Sequence, residues 1–272
     1  MSRYKAFERI FHSSEDSAED VSRIEEKLKY HNKECYERQE PISLSWYSTD
    51  DEQTYQNNLT KRPEMLEQYG WKDYRIDYNL NKWGFRESDF NLEYHHENII
   101  ATGECFTFGT GLNEGQIWPT MVEWETGTKV WNLGLPLAPL DVTFRILYSW
   151  LPVLKPKQVL LLENSQLARE VWIDETPEPI GFFSPEHETW KRALAEDKAE
   201  RYISRQKNLM AINELCAEEG VELLTISASE RHDIGMKAWE TSEGQEFALC
   251  RDLMHPGFHF QRAIADRWLE EL

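Results

Sequence analysis

Apolar residues change their spacing along this chain, and the changes mark out its elements. Short runs at residues 99–102, 129–133, 158–162 and 221–227 are dense in Val, Ile and Leu. Runs of that length suit strands buried on both faces of a parallel sheet, where neither face is left to alternate with water. Between them, apolar residues recur at helical spacing over about residues 116–125, 140–150 and 187–219, and a last helix follows Pro256 with Phe260, Ile264 and Trp268 on one face. Pro119 falls at an early helical position, where its missing amide hydrogen leaves no hydrogen bond unmade. Strand and helix alternate, so the expected fold class is α/β, with a parallel sheet covered by helices on both faces.

The pattern upstream is different. Residues 14–39 are charged, with Val21, Ile24 and Leu28 at helical spacing and Ser14 or Asp16 available as a cap, which predicts an amphipathic helix that docks on the domain or on a partner. Residues 41–72 mix Pro, Ser, Asp, Asn and Gln with isolated aromatics such as Trp46, Tyr47 and Trp71, and read as irregular extended chain with a short helix near residues 62–69. Residues 74–79 alternate in the manner of a strand, and Trp83-Gly84-Phe85-Arg86 turns out of it. The organisation expected is an N-terminal helical and extended arm over residues 1–72 and one α/β/α domain over residues 73–272.

Charge and cysteine usage narrow the partners. The formal net charge of -19 repels phosphate backbones and anionic bilayers at long range, so neither nucleic acid nor a membrane surface is an expected partner. The first residues contain no apolar run of signal-peptide length and no later stretch could span a bilayer, which predicts a soluble, cytoplasmic protein. Cys35, Cys105, Cys216 and Cys250 show no Cys-x-x-Cys spacing, so reduced thiols are expected, with Cys216 and Cys250 in the core.

The chemistry concentrates at two places. Residues 99–109 form an apolar run that enters a tight turn and presents Cys105 at its tip, while Asp252 and His255 supply an acid and a base three residues apart near the far end. A nucleophile, a base and an orienting carboxylate are what acyl transfer needs. Ligands of doubly wound sheets bind at the carboxyl ends of the strands, where Cys105, Gly134 and Asn164 all fall. The amides of Cys105 and Gly134 and the side chain of Asn164 are therefore candidate oxyanion donors. His95 and His96 alternate across an extended chain and read as surface residues rather than a metal pair, and His259 reads as a packing or supporting residue one turn after His255. Trp118 and Trp131 are expected in the core, and Trp172 as a candidate pocket wall.

From about Asn79 onward the chain resembles the SGNH, or GDSL, hydrolases. Gly103-Glu104-Cys105-Phe106-Thr107, Asn132-Leu133-Gly134, Asn164 and Asp252 to His255 match the family's four blocks in order, and Asn81-Lys82-Trp83-Gly84-Phe85-Arg86 is similar to the lead-in of many bacterial members. The resemblance implies a three-layer α/β/α fold with a flavodoxin-like parallel sheet. It also implies hydrolysis or transfer of an ester, thioester or O-acylated sugar through a covalent acyl-enzyme, with no metal or organic cofactor. The chain departs from the family at Cys105, where the nucleophile is serine, at Glu104, where it is aspartate, and at Leu162 and Ser165 around the third-block asparagine. Two readings follow: a Cys105–His255–Asp252 triad, or a pocket that binds a ligand or a protein partner without turnover. A third assigns the N-terminal arm to assembly with a protein partner.

Overall fold

The computed structural model describes residues 40–163, 168–173, 176–181, 198–228 and 248–272. The expected helix within residues 14–39, Cys35 and Asn164 lie outside the described residues. In chain order, the described elements begin with β1 (Ile42–Leu44), α1 (Glu52–Lys61), α2 (Pro63–Gln68), β2 (Tyr78–Leu80), β3 (Ile99–Gly103) and α3 (Cys105–Phe108). They continue with α4 (Trp118–Thr126), β4 (Val130–Asn132), α5 (Leu140–Leu154) and β5 (Gln158–Glu163). The last are β6 (Ala168–Ile173), β7 (Thr176–Gly181), α6 (Lys198–Glu218), β8 (Glu222–Ser227) and α7 (Phe258–Glu271).

The central sheet has the order β4-β3-β5-β8, with each adjacent pair parallel. Numbered by their own sequence, those four strands run 2-1-3-4, the flavodoxin-like order, whose ligand site lies where the connections from strands 1 and 3 diverge. Alternate residues of β3 and β5 feed opposite layers. Ile100, Val159 and Leu161 pack with Ile146, Leu147 and Trp150 of α5 and Ile212 and Leu215 of α6. Ile99, Ala101, Leu160 and Leu162 pack with Trp118 and Val122 of α4 and Phe260, Ile264 and Trp268 of α7. This is a three-layer α/β/α fold, and its two buried faces explain why the strands read as unbroken apolar runs. Truncating a fully buried anchor such as Phe260 to Ala would cost about 3–5 kcal/mol.

Four elements differ from the sequence expectation. The helix predicted at 140–150 continues through Pro152 to Leu154, because Leu151 and Leu154 are buried and extend the apolar stripe past the proline. The strand expected at 74–79 is shorter and shifted to Tyr78–Leu80, since its ladder partner among the described residues, β1, is three residues long. The extended chain expected through residues 52–61 is instead a helix, capped by the Asp51 carboxylate accepting the Thr54 amide at 2.6 Å. The hairpin β6–β7, for which no pattern was apparent, packs on α5 through a buried Arg145–Glu170 pair.

A third apolar cluster joins Leu66, Trp71, Ile76, Tyr78 and Leu80 to Phe108, Leu112, Cys250 and Leu253. Residues 42–80 are thereby packed onto the turn that follows Cys105 and onto the loop that carries Asp252. Among the described residues, no helix is long and apolar enough to cross a membrane.

Candidate active site

Strand β3 delivers Cys105 to the carboxyl end of the sheet. Its last residue, Gly103, has φ 149°, and an added Cβ would lie 2.5 Å from Leu162 O and 2.5 Å from Thr107 Oγ1, so only glycine lets the chain cross against β5. Cys105 then opens the short helix α3, which ends at Gly109 in the left-handed region at φ 81°. The amides of a first helical turn lack partners within the helix, so the amide of Cys105 sits at a positive dipole end. Behind the turn, the buried Arg86 guanidinium donates to Gly109 O and Leu112 O, each at 2.6 Å, and lies 4.4 Å from the centre of the Tyr78 ring. Asn132 Nδ2 and Gln261 Nε2 also donate to the turn, to Thr107 O at 2.9 Å and Phe106 O at 3.0 Å.

Asp252 and His255 come from the loop before α7. Asp252 is fully buried, and its Oδ2 accepts the His255 Nδ1–H at 2.6 Å. Oδ1 accepts the amides of Met254 at 2.9 Å and His255 at 3.0 Å. Burial alone would raise the Asp252 pKa, but the hydrogen bond and charge of His255 and the two amides outweigh it and hold the carboxyl below its ordinary value. Burial likewise works against charge on the His255 ring, yet Asp252 on one side and the Cys105 side chain on the other push its pKa up to about 10. Phe106 stands edge-on to the ring, 5.9 Å between centres, and fixes its tilt. His255 thus interacts both with Asp252, three residues before it, and with Cys105, far upstream in the sequence.

Of the three expected oxyanion donors, the amides of Cys105 and Gly134 belong to described residues. Gly134 donates its amide to Asn132 Oδ1 at 3.0 Å, and a Cβ there would lie 2.7 Å from Phe108 N, so this glycine serves close packing of β4's exit against α3. The amide of Leu137 reaches Cys105, with its N–H pointing at Sγ from 3.5 Å. Leu137 holds φ 57°, an uncommon conformation for a branched residue, and its side chain is exposed. Nothing in the local sequence pattern marks it, because an exposed Leu after a proline is ordinary in a loop. Asn164, the third expected donor, lies outside the described residues.

Sequence reading also missed the support of Asp252 from the N-terminal segment. The Thr49 hydroxyl donates to Asp252 Oδ2 at 2.9 Å, and Asn58 Nδ2 donates to Asp252 O at 3.0 Å. The adjacent Arg251 forms a buried pair with Asp50 at 2.7 Å and packs 4.1 Å from the centre of the Trp46 ring. Those partners come from a stretch that reads as polar filler.

Other expectations resolve simply. Trp118 and Trp131 are core residues, as are Cys216 and Cys250. His95 Nε2 bonds Val153 O at 3.0 Å and His96 is exposed. His259, expected to pack or support, is exposed and lies 5.8 Å from the Phe258 ring. Helix geometry turns it away because Phe260 takes the inward position. Trp172 lies in β6. A cavity of about 440 Å³ is lined by Ile99, Lys157, Gln158 and Glu222 at the strands' amino ends, the end opposite Cys105.

No family model and no curated protein matches the chain. Among solved structures, it is similar to a putative lipolytic protein of the G-D-S-L family from Desulfitobacterium hafniense DCB-2, at 14% identity and a TM-score of 0.35, over 65% of this chain and 99% of that one. It is also similar to the psychrotrophic esterase EstA from Pseudoalteromonas sp., at 12% identity and a TM-score of 0.33, over 64% of this chain and 95% of that one. The fold assignment above rests on strand order and layering in this chain itself.

Proposed function

We propose that this chain is a hydrolase or acyltransferase that acts on an ester, a thioester or an O-acylated sugar through Cys105, His255 and Asp252. The observation that carries the reading is the 2.6 Å contact between His255 Nδ1 and Asp252 Oδ2, made by a ring whose charge is also stabilised by the Cys105 side chain. His255, oriented by Asp252, takes the thiol proton and leaves the sulfur to attack. Sγ bonds to the acyl carbon and the carbonyl oxygen takes up the negative charge. In this reading the amide of Cys105 and that of Leu137, which lies 3.5 Å from Sγ, are the donors to that oxygen, and one such donor contributes roughly 100- to 1000-fold in rate. His255 then returns its proton to the leaving oxygen or sulfur as the carbonyl re-forms. Water, or an acceptor alcohol, attacks the thioester, gives its proton to His255, and the C–S bond breaks.

The alternative, a pocket that binds without turnover, is favoured by the commitment of Gly134's amide to Asn132. The Leu137 amide at the sulfur offsets that loss. The test is a panel of p-nitrophenyl esters, acyl thioesters and acetylated sugars, with mass spectrometry of quenched protein. An acyl adduct on the Cys105 peptide that is absent from Cys105→Ala supports the enzyme. Inertness of wild type and Cys105→Ser across the panel, with a ligand still raising the unfolding temperature, supports the binder.

A further inference from the structure

The Asp252 carboxylate is held by four donors, three of which come from its own turn. Oδ1 takes the Met254 and His255 amides, and Oδ2 takes His255 Nδ1. The fourth is the Thr49 hydroxyl, also on Oδ2 and 203 residues away in sequence. An ionised carboxylate with no exposure must find all its partners inside the protein, and without Thr49 the outer lone pair of Oδ2 would face none of them.

Thr49 is presented by a built turn. Tyr47 and Asp50 exchange backbone hydrogen bonds at 3.0 and 3.2 Å, and Ser48 between them sits at φ 57°. That turn is fastened to the catalytic loop on both sides of Thr49. Arg251 grips Asp50 Oδ2 and Ser45 O, each at 2.7 Å, Asn58 reaches Asp252 O, and Trp71 Nε1 donates to Leu249 O at 2.7 Å. A segment that only filled surface would not converge on three residues out of four in one loop.

We infer that Thr49 is a positioning residue for the Asp252–His255 pair, and that the turn of residues 47–50 belongs to the active-site machinery. This rests on the reading of Cys105, His255 and Asp252 given above. The hydroxyl does two things to Oδ2. It fixes the carboxylate plane in line with the imidazole, and it draws charge from the oxygen that holds the ring proton. Removing it leaves His255 as the sole donor to Oδ2, so the ring should hold its proton more tightly. The other charged or titratable groups around the pair are Cys105, Glu104 beside it, the mutually neutralising Arg251 and Asp50, Arg86, and the Cys250 thiol, which burial and then Asp252 push well up. None of these changes when Thr49 is replaced.

The test needs no substrate. Iodoacetamide alkylation of Cys105 is followed by peptide mass spectrometry from about pH 5 to pH 11 in the full chain, comparing wild type, Thr49→Val, Thr49→Ser and His255→Ala. Thr49→Val should displace the inflection governed by His255 upward by about one pH unit, and Thr49→Ser, which keeps the hydroxyl, should follow wild type. Should Thr49→Val fail to unfold cooperatively, Thr49→Ala takes its place in the same comparison. A Thr49→Val profile that superimposes on wild type while that of His255→Ala departs from it overturns the inference and leaves the triad standing. Profiles for wild type and His255→Ala that coincide overturn both.

Discussion

Asp50→Ala isolates the tie between the N-terminal segment and the catalytic loop. The substitution strands Arg251, whose side chain is 3% exposed and whose Nε and Nη2 both donate to Asp50. Breaking a buried pair by removing one partner costs about 3–5 kcal/mol, because the surviving charge has no counterpart. Arg251 keeps the Ser45 carbonyl at 2.7 Å and the Trp46 face at 4.1 Å, which argues for the lower end, about 3 kcal/mol. Tyr78 also loses the acceptor that its hydroxyl reaches at 2.6 Å, adding about 1 kcal/mol. A loss near 4 kcal/mol is a large share of the roughly 5–15 kcal/mol that holds a domain together, and corresponds to a drop of about 8–16 °C in unfolding temperature. Urea unfolding followed by tryptophan fluorescence, with thermal scans, measures it. The double variant Asp50→Ala/Arg251→Met, which removes the charge as well, should recover most of the loss. If Asp50→Ala lies within about 1 kcal/mol of wild type, or if the two substitutions simply add, the pair does not hold the loop and the reasoning fails.

Three further outcomes are expected. Cys105 should react with iodoacetamide well before Cys216, whose thiol burial pushes up to about 11, and before Cys250, and peptide mapping that finds Cys216 labelled first would refute the assignment. Gly103→Ala should lower stability by about 3 kcal/mol or more, since its Cβ would overlap backbone as well as side chain; a urea midpoint like that of wild type would show that β5 can yield. His255 has its pKa raised from 6.5 to about 10, so its pairing with Asp252 stabilises the fold fully below about pH 6.5, and that contribution is lost as pH rises through about 10. The stability gap between wild type and His255→Gln should narrow over that window, and a gap independent of pH would contradict it.

Much of the fold follows from local periodicity. Short unbroken apolar runs set between helical patterns suit strands covered on both faces, so the four central strands and the helices over them are legible without coordinates, as is the presence of Cys105 at a strand's end. The spacing of Asp252 and His255 makes their contact nearly a local matter, because a tight loop is enough to bring side chains three residues apart together. Pairing across long separations is not written in any window. Thr49, Asp50 and Asn58 look like surface polar residues until Arg251 and Asp252 are placed against them, 203 residues on in the case of Thr49. The helix at Glu52–Lys61 buries only Asn58 and so lacks an apolar stripe, although Asp51 as its cap was a readable signal. Gly134 and Leu137 make the same point from the other side. Glycine suggests an open amide, yet the Gly134 amide is turned to Asn132 and the sulfur meets the amide of Leu137, because the path of a loop is set by what it packs against and not by its own composition. Sequence determined the layers and marked Cys105, Asp252 and His255 as candidate residues, and tertiary structure alone decided which polar groups surround them, since burial favours a partner for each polar group from wherever the chain happens to pass.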